Sequence, residues 1–88
     1  SLPEDRLPFD EATKFQAIDY IRDTFAPSYA VSTVDGVRVD FGDGWGVVRA
    51  SNTEPAITTR FEAQTPARVA EIRALMLGAL GKFKQEHS

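Results

Sequence analysis

"DGVRVDFGDGWGVVRASNTEPAITTRFEA", residues 35–63, decides the fold. Within it "VRVDF" places Val37, Val39 and Phe41 on one face and Arg38 and Asp40 on the other, the period of a half-buried strand. Asp35-Gly36 ahead of it reads as a hairpin turn, because both residues accept positive φ at low cost. "GDG" (42–44) turns the chain into "WGVVRA" (45–50), and "AITTRFEA" (56–63) alternates again with Ile57, Thr59 and Phe61 on one side. A further strand signal, "SYAVSTV" (28–34), precedes the hairpin.

Helical patterns flank this block. Residues 1–9 hold two prolines and predict one short edge strand around Arg6–Phe9. Asp10 reads as an N-cap, its carboxylate accepting from the free amides of the next turn. From Glu11, Phe15, Ile18, Ile21 and Phe25 form an apolar stripe, with Lys14, Asp19, Arg22 and Asp23 on the solvent side. Ala26-Pro27 ends that helix, since proline disfavours helical geometry in the residue before it. Thr65-Pro66 starts a second helix with a capping hydroxyl and proline at the first position. Its buried stripe is Val69, Ile72, Met76, Leu80 and Phe83, and it frays into "KQEHS" (84–88). The fold predicted is α+β, an antiparallel sheet of about four strands with both helices packed on one face. Residues 1–88 are expected to form a single domain.

Composition narrows the function classes. The chain has no cysteine, which rules out disulfides and thiolate sites and fits a reducing, cytoplasmic location. Its one histidine, His87, lies beside the C-terminus, away from any constellation for metal binding or a catalytic triad. Net charge is −3, from ten basic and thirteen acidic residues without a Lys/Arg cluster, so no nucleic-acid partner is expected. No apolar run approaches the ~18 residues of a membrane span. The opening "SLPEDRLPFD" lacks a signal-peptide pattern, and the missing initiator methionine suggests a piece of a longer protein.

"RASNTEP" (49–55) interrupts the strands with a different chemistry. Ser, Asn, Thr and Pro are ordinary turn residues, whose short polar side chains bond to nearby backbone. Arg49, however, closes an apolar strand end, and its planar fork suits bidentate contact with phosphate or carboxylate oxygens. Ser51, Asn52 and Thr53 add two hydroxyls, an amide and successive backbone N–H groups, the makings of an anion-binding concavity. Glu54 would repel a phosphate and is expected to point outward. With Val48 and Ala50 facing the core, the expected register sets Arg49 opposite Ala56, Trp45 opposite Arg60, and leaves Ser51–Glu54 as a four-residue loop. Arg60 then sits roughly 13 Å along the strand from the loop and is read as a cation–π partner of Trp45.

At these residues the chain resembles a known family. "DGVRVDFGDGWGVVRASNTEP" followed by "RFEA" is similar to the C-terminal domain of the α-D-phosphohexomutases, the phosphomannomutase/phosphoglucomutase family, with the match running from about Val34 to Ala63. Asn52 stands where the related phosphoglucosamine mutases usually carry glycine, which favours the mannose/glucose branch. The resemblance implies an intramolecular phosphotransferase that interconverts hexose 6-phosphate and 1-phosphate through a bisphosphorylated intermediate and a phosphoserine. It implies that this domain grips the non-transferring phosphate through Arg49, Ser51, Asn52 and Thr53, while Glu54 and Pro55 shape the loop. The family's phosphoserine segment, Mg²⁺ loop and sugar-selecting loop belong to other domains, so this piece alone is expected to be inactive and to bind no cofactor or metal itself. Asp40 and Asp43 in "DFGDG" read as solvated hairpin residues. The implied partners are a hexose phosphate and the other domains of the parent chain.

A rival reading is a free-standing interaction module that binds another protein through the exposed sheet face, with Trp45, Val47 and Arg60 as anchors.

Overall fold

The structure, a computed structural model, describes residues 4–87; the first three residues of the leading segment and Ser88 lie outside the described residues. Strand β1 (Asp5–Pro8) leads into helix α1 (Lys14–Phe25), then strands β2 (Ala30–Ser32), β3 (Val37–Asp40), β4 (Gly44–Ala50) and β5 (Ala56–Ala63), and helix α2 (Pro66–Glu86). The sheet is antiparallel with five strands in the order β1-β5-β4-β3-β2. The edge strand read around Arg6–Phe9 is present as β1 and makes five strands where about four were expected; it pairs along β5, from Asp5 opposite Thr59 to Pro8 opposite Ala56. Both edges, β1 and β2, are short, which limits the unpaired backbone offered to other chains.

Both helices cover one face. Val37, Val39, Val48, Ile57 and Phe61 from the sheet meet Ile18, Ile21 and Phe25 of α1 and Ile72, Met76, Leu80 and Phe83 of α2 in one core. The alternation in "VRVDF" and "AITTRFEA" therefore reports burial correctly. Gly46 is required where Met76 and Phe61 lie directly on the sheet: a Cβ there would collide with the Met76 sulfur and come within 2.9 Å of the Phe61 ring. The α2 start is as read, with the Thr65 hydroxyl accepting from the Arg68 N–H at 3.1 Å and Pro66 in the first turn.

Three local expectations are corrected. Helix α1 starts at Lys14, three residues later than Glu11. Asp10 caps a preceding turn instead, its carboxylate accepting from the Ala12 N–H at 2.9 Å and its carbonyl from the Thr13 N–H at 3.1 Å. Such an Asx turn satisfies the same amides that a helix cap would, so the residue type is right and the element is not. The buried stripe of α1 is also rotated by one position: Lys14 is 1 % exposed and Phe15 is 56 % exposed, with Ala17, Ile18, Ile21 and Phe25 continuing the buried side. Finally, the β2–β3 connection is longer than a two-residue turn. Only Gly36 takes positive φ there, at 70°, while Asp35 does not. A longer loop needs a single left-handed residue, and glycine is the cheapest choice.

Candidate functional site

The β4–β5 connection and the β2–β3 loop lie at the same end of the sheet. Together with the start of α1 they line a concavity of about 560 Å³ whose wall includes Arg49, Ser51, Asn52, Thr53, Asp35 and Phe15. All four residues singled out in the sequence thus reach one surface. Arg49 gets there because its strand position points away from the helices: the neighbouring Val48 and Ala50 are buried, and Arg49 faces out.

The register differs from the expected one by two residues. Arg49 lies opposite Thr58 and Ala50 opposite Ile57, so Ser51–Pro55 form the connection. Pro55 has no N–H to give to the ladder, so pairing closes one residue beyond it, with the Ser51 N–H donating to the Ala56 carbonyl at 2.9 Å. A shift of two keeps every side chain on its predicted face, which is why the sidedness survived the error. Trp45 accordingly lies opposite Glu62, and Arg60 opposite Val47. Arg60 still reaches Trp45 diagonally, its guanidinium 5.6 Å from the ring centre. Arg38, which the sequence reading passed over, lies closer at 4.4 Å. Its signal was available, since Arg38 alternates onto the same open face as Trp45.

Inside the loop, the Ser51 hydroxyl oxygen accepts from the N–H groups of Thr53 at 3.3 Å and Glu54 at 3.2 Å. The hydroxyl thereby folds the loop into a tight turn, a role that serine at the start of a turn commonly takes. The Asn52 N–H and the side chains of Asn52 and Thr53 have no protein partner among the described residues, and both residues are exposed. The Arg49 guanidinium is held by two acids, Asp35 at 3.2 Å and Glu4 at 3.5 Å, all three side chains being partly exposed. Arg49 is thus paired within the chain, next to the unpartnered amide and hydroxyl groups of Asn52 and Thr53.

Glu54 is neutralised by Arg6, whose guanidinium lies 2.9 Å from its carboxylate at the surface. The loop carries a second tie that the sequence did not reveal. Lys14, buried at the start of α1, donates to the Glu54 carbonyl and to the Glu11 carboxylate, each at 2.9 Å. The only hint was a lysine at a position that a strict 3.6-residue stripe with Ile18, Ile21 and Phe25 would bury.

The two hairpin aspartates have structural partners. Asp40 accepts from the Gly42 N–H at 2.8 Å, where Gly42 takes φ of 92°. Asp43 holds Arg68 at 3.0 Å, and that hydrogen bond is the chief cause raising the Arg68 pKa above its ordinary value. Among the described residues no cluster of three or more His, Cys, Asp or Glu is placed to hold a metal ion. His87 stacks on Phe83 with ring centres 3.9 Å apart at the end of α2. No described helix is long and apolar enough to cross a membrane.

Comparison with known proteins places this geometry in a family. The family model described as "Phosphoglucomutase/phosphomannomutase, C-terminal domain" matches residues 4–79. The chain is 41 % identical over 83 residues to a phosphomannomutase/phosphoglucomutase of Pseudomonas syringae pv. tomato, covering 93 % of this chain and 18 % of that protein. It is 43 % identical over 87 residues to a protein of the same description from Pseudomonas putida, covering 98 % of this chain and 19 % of the relative. A crystal structure of a phosphoglucomutase/phosphomannomutase family protein from Burkholderia thailandensis superposes with a TM-score of 0.74 at 36 % identity, over 94 % of this chain and 17 % of that one. The chain spans less than a fifth of the length of these relatives. Sequence, fold and topology agree: the chain belongs to the phosphoglucomutase/phosphomannomutase family, as its C-terminal domain.

Proposed function

We propose that residues 1–88 are one domain of a cytoplasmic phosphohexomutase and grip the non-transferring phosphate of a hexose phosphate. The observation that carries this is the concavity at one end of the sheet, where Arg49 and the unpartnered donors of Asn52 and Thr53 converge on one surface. Arg49 supplies the charge and a bidentate fork, Asn52 and Thr53 supply neutral donors, and Ser51 folds the loop that presents them.

The chemistry is positioning. Holding one phosphate fixes the sugar so that its other end meets a phosphoserine on another domain of the parent chain. Interconversion of the 6- and 1-phosphates requires the intermediate to turn end for end, so the grip must take either phosphate. One guanidinium with hydroxyl and amide donors reads a phosphate without reading the carbon that bears it. Mg²⁺ and the sugar-selecting groups are assigned to the other domains, and the chain alone is expected to have no mutase activity.

The test is an NMR titration of the chain with inorganic phosphate, glucose 6-phosphate and mannose 1-phosphate. Shifts centred on Arg49–Thr53, lost in Arg49→Met, are the expected result. A chain whose loop resonances stay fixed at millimolar phosphate would overturn the assignment. Turnover by the isolated chain in a coupled mutase assay would overturn the division of labour.

A further inference from the structure

We propose that Lys14 is a positioning residue for the anion loop: from the first turn of α1, its buried ammonium clamps the Glu54 carbonyl and so sets the geometry of the donors at Asn52 and Thr53. This inference rests on the phosphate-gripping role of the loop and names the group outside the loop that orders it.

A lysine 1 % exposed at the start of a surface helix is unusual, because removing an ammonium from water is costly unless its donors are met. Here two of its three donors are directed at defined acceptors, the Glu11 carboxylate and the Glu54 carbonyl, both at 2.9 Å. Glu11 is itself largely exposed, so the pair is a buried cation reached by a surface carboxylate, not a buried ion pair. The second bond is the informative one. It joins residues forty apart in sequence, and its acceptor lies inside the connection that carries the candidate site.

The loop has two limbs, and each is fixed differently. The first is folded by the Ser51 hydroxyl, which accepts from the Thr53 and Glu54 N–H groups. The second returns to β5 through a tight turn at Pro55, in which the Ala56 N–H donates to the Glu54 carbonyl at 2.8 Å. That carbonyl has two lone pairs, and Lys14 takes the other. Helix α1 is locked on the sheet by Ile18, Ile21 and Phe25, so the clamp transmits the rigidity of the core to an otherwise exposed loop. Without it, the limb beyond Thr53 keeps its local turn, the hydrogen bond that the Phe9 N–H donates to the Pro55 carbonyl at 2.8 Å and the exposed Arg6–Glu54 pair, but loses its tie to helix α1, and the ligand must do more of the ordering as it binds.

The experiment compares the chain with its Lys14→Met and Lys14→Arg variants, using inorganic phosphate as probe. In Lys14→Met the hydrogen-bonded amides of Thr53, Glu54 and Ala56 should exchange faster with solvent while those of Val48 and Ile57 keep their protection. Phosphate affinity should fall by roughly two- to tenfold, the range expected when one ordering contact is lost. That difference should persist in about 0.5 M salt, where a plain long-range charge effect is screened. Lys14→Arg retains a cationic donor and should recover part of the affinity. Unchanged loop exchange and unchanged phosphate affinity in a folded Lys14→Met would overturn the proposal. If that variant fails to fold, the Lys14 ammonium resonance of the unmodified chain serves: it should shift with the same midpoint as the loop amides, and a resonance that stays fixed at saturation is the overturning result. Should the unmodified chain bind no phosphate, the functional reading fails while the clamp is still judged by amide exchange alone.

Discussion

Arg49 is occupied by carboxylates, and that occupancy has a measurable consequence. Its guanidinium lies 3.2 Å from Asp35 and 3.5 Å from Glu4. An incoming phosphate must displace or share these contacts, and both acids place negative charge beside it. The change to make is Asp35→Asn, because asparagine is as suitable a turn residue as aspartate and leaves Gly36 to make the left-handed step. With 44 % and 71 % side-chain exposure the Arg49–Asp35 pair is a surface pair. Pairs of this kind are worth about 0.2–1 kcal/mol. Releasing Arg49 from it should therefore tighten phosphate binding by about 1.4- to 5-fold. Glu4→Gln should do the same more weakly, since its contact is at the edge of hydrogen-bonding range. The assay is calorimetric or NMR titration with inorganic phosphate at low salt, repeated at about 1 M salt, where screening should remove most of the gain. Asp40→Asn is the control: it changes net charge equally, but Asp40 sits at the other end of β3, tied to the Gly42 N–H. Unchanged or weaker binding in Asp35→Asn, or equal tightening in Asp40→Asn, would refute competition for Arg49.

Three other outcomes test the structure independently of ligand. Thr59 is 2 % exposed with a hydroxyl that has no partner among the described residues, so Thr59→Val should raise stability by about 1 kcal/mol, a gain of roughly 4–8 °C in thermal midpoint; a lower midpoint would mean that the hydroxyl is satisfied. Gly46→Ala should cost about 1–3 kcal/mol in chemical denaturation, because its Cβ meets the Met76 sulfur and the Phe61 ring; a neutral effect would show that Met76 moves aside freely. Asp23 hydrogen-bonds Arg22, which holds its carboxyl below the ordinary aspartate range. Its small contribution to stability is thus present above the unfolded-state value and lost as pH falls through the lower folded one. A side-chain carboxyl titration by NMR should place its midpoint below that of an unstructured aspartate, and a midpoint at or above it contradicts the contact.

The loop was legible because its chemistry is local. Arg49, Ser51, Asn52 and Thr53 announce themselves by residue type at a strand end, and alternation alone places Arg49 on the face away from the helices. Alternation could not count the connection, however, because registers two residues apart bury the same side chains. The register was decided by Pro55, which has no N–H to pair, and by the closure of Ser51 onto Ala56. Trp45 shows the same limit. Its open-face position could be read, but its nearest cation, Arg38, comes from the adjacent strand β3.

What the sequence by itself determined is what periodicity and residue chemistry carry: two helices, the strands, the face each strand side chain takes, the Thr65 cap and the composition of the β4–β5 loop. These depend on neighbours a few residues away, so a linear reading reaches them. Tertiary structure alone decided what depends on distant partners. It chose β5 as the partner of the leading edge strand, set Asp35 and Glu4 on Arg49, and buried Lys14 against a carbonyl forty residues further on. An amphipathic pattern assigns a lysine to solvent because it registers the charge and not the acceptor waiting for it. Only the folded chain brings the Glu54 carbonyl to the start of α1, and that meeting makes burial of the ammonium affordable.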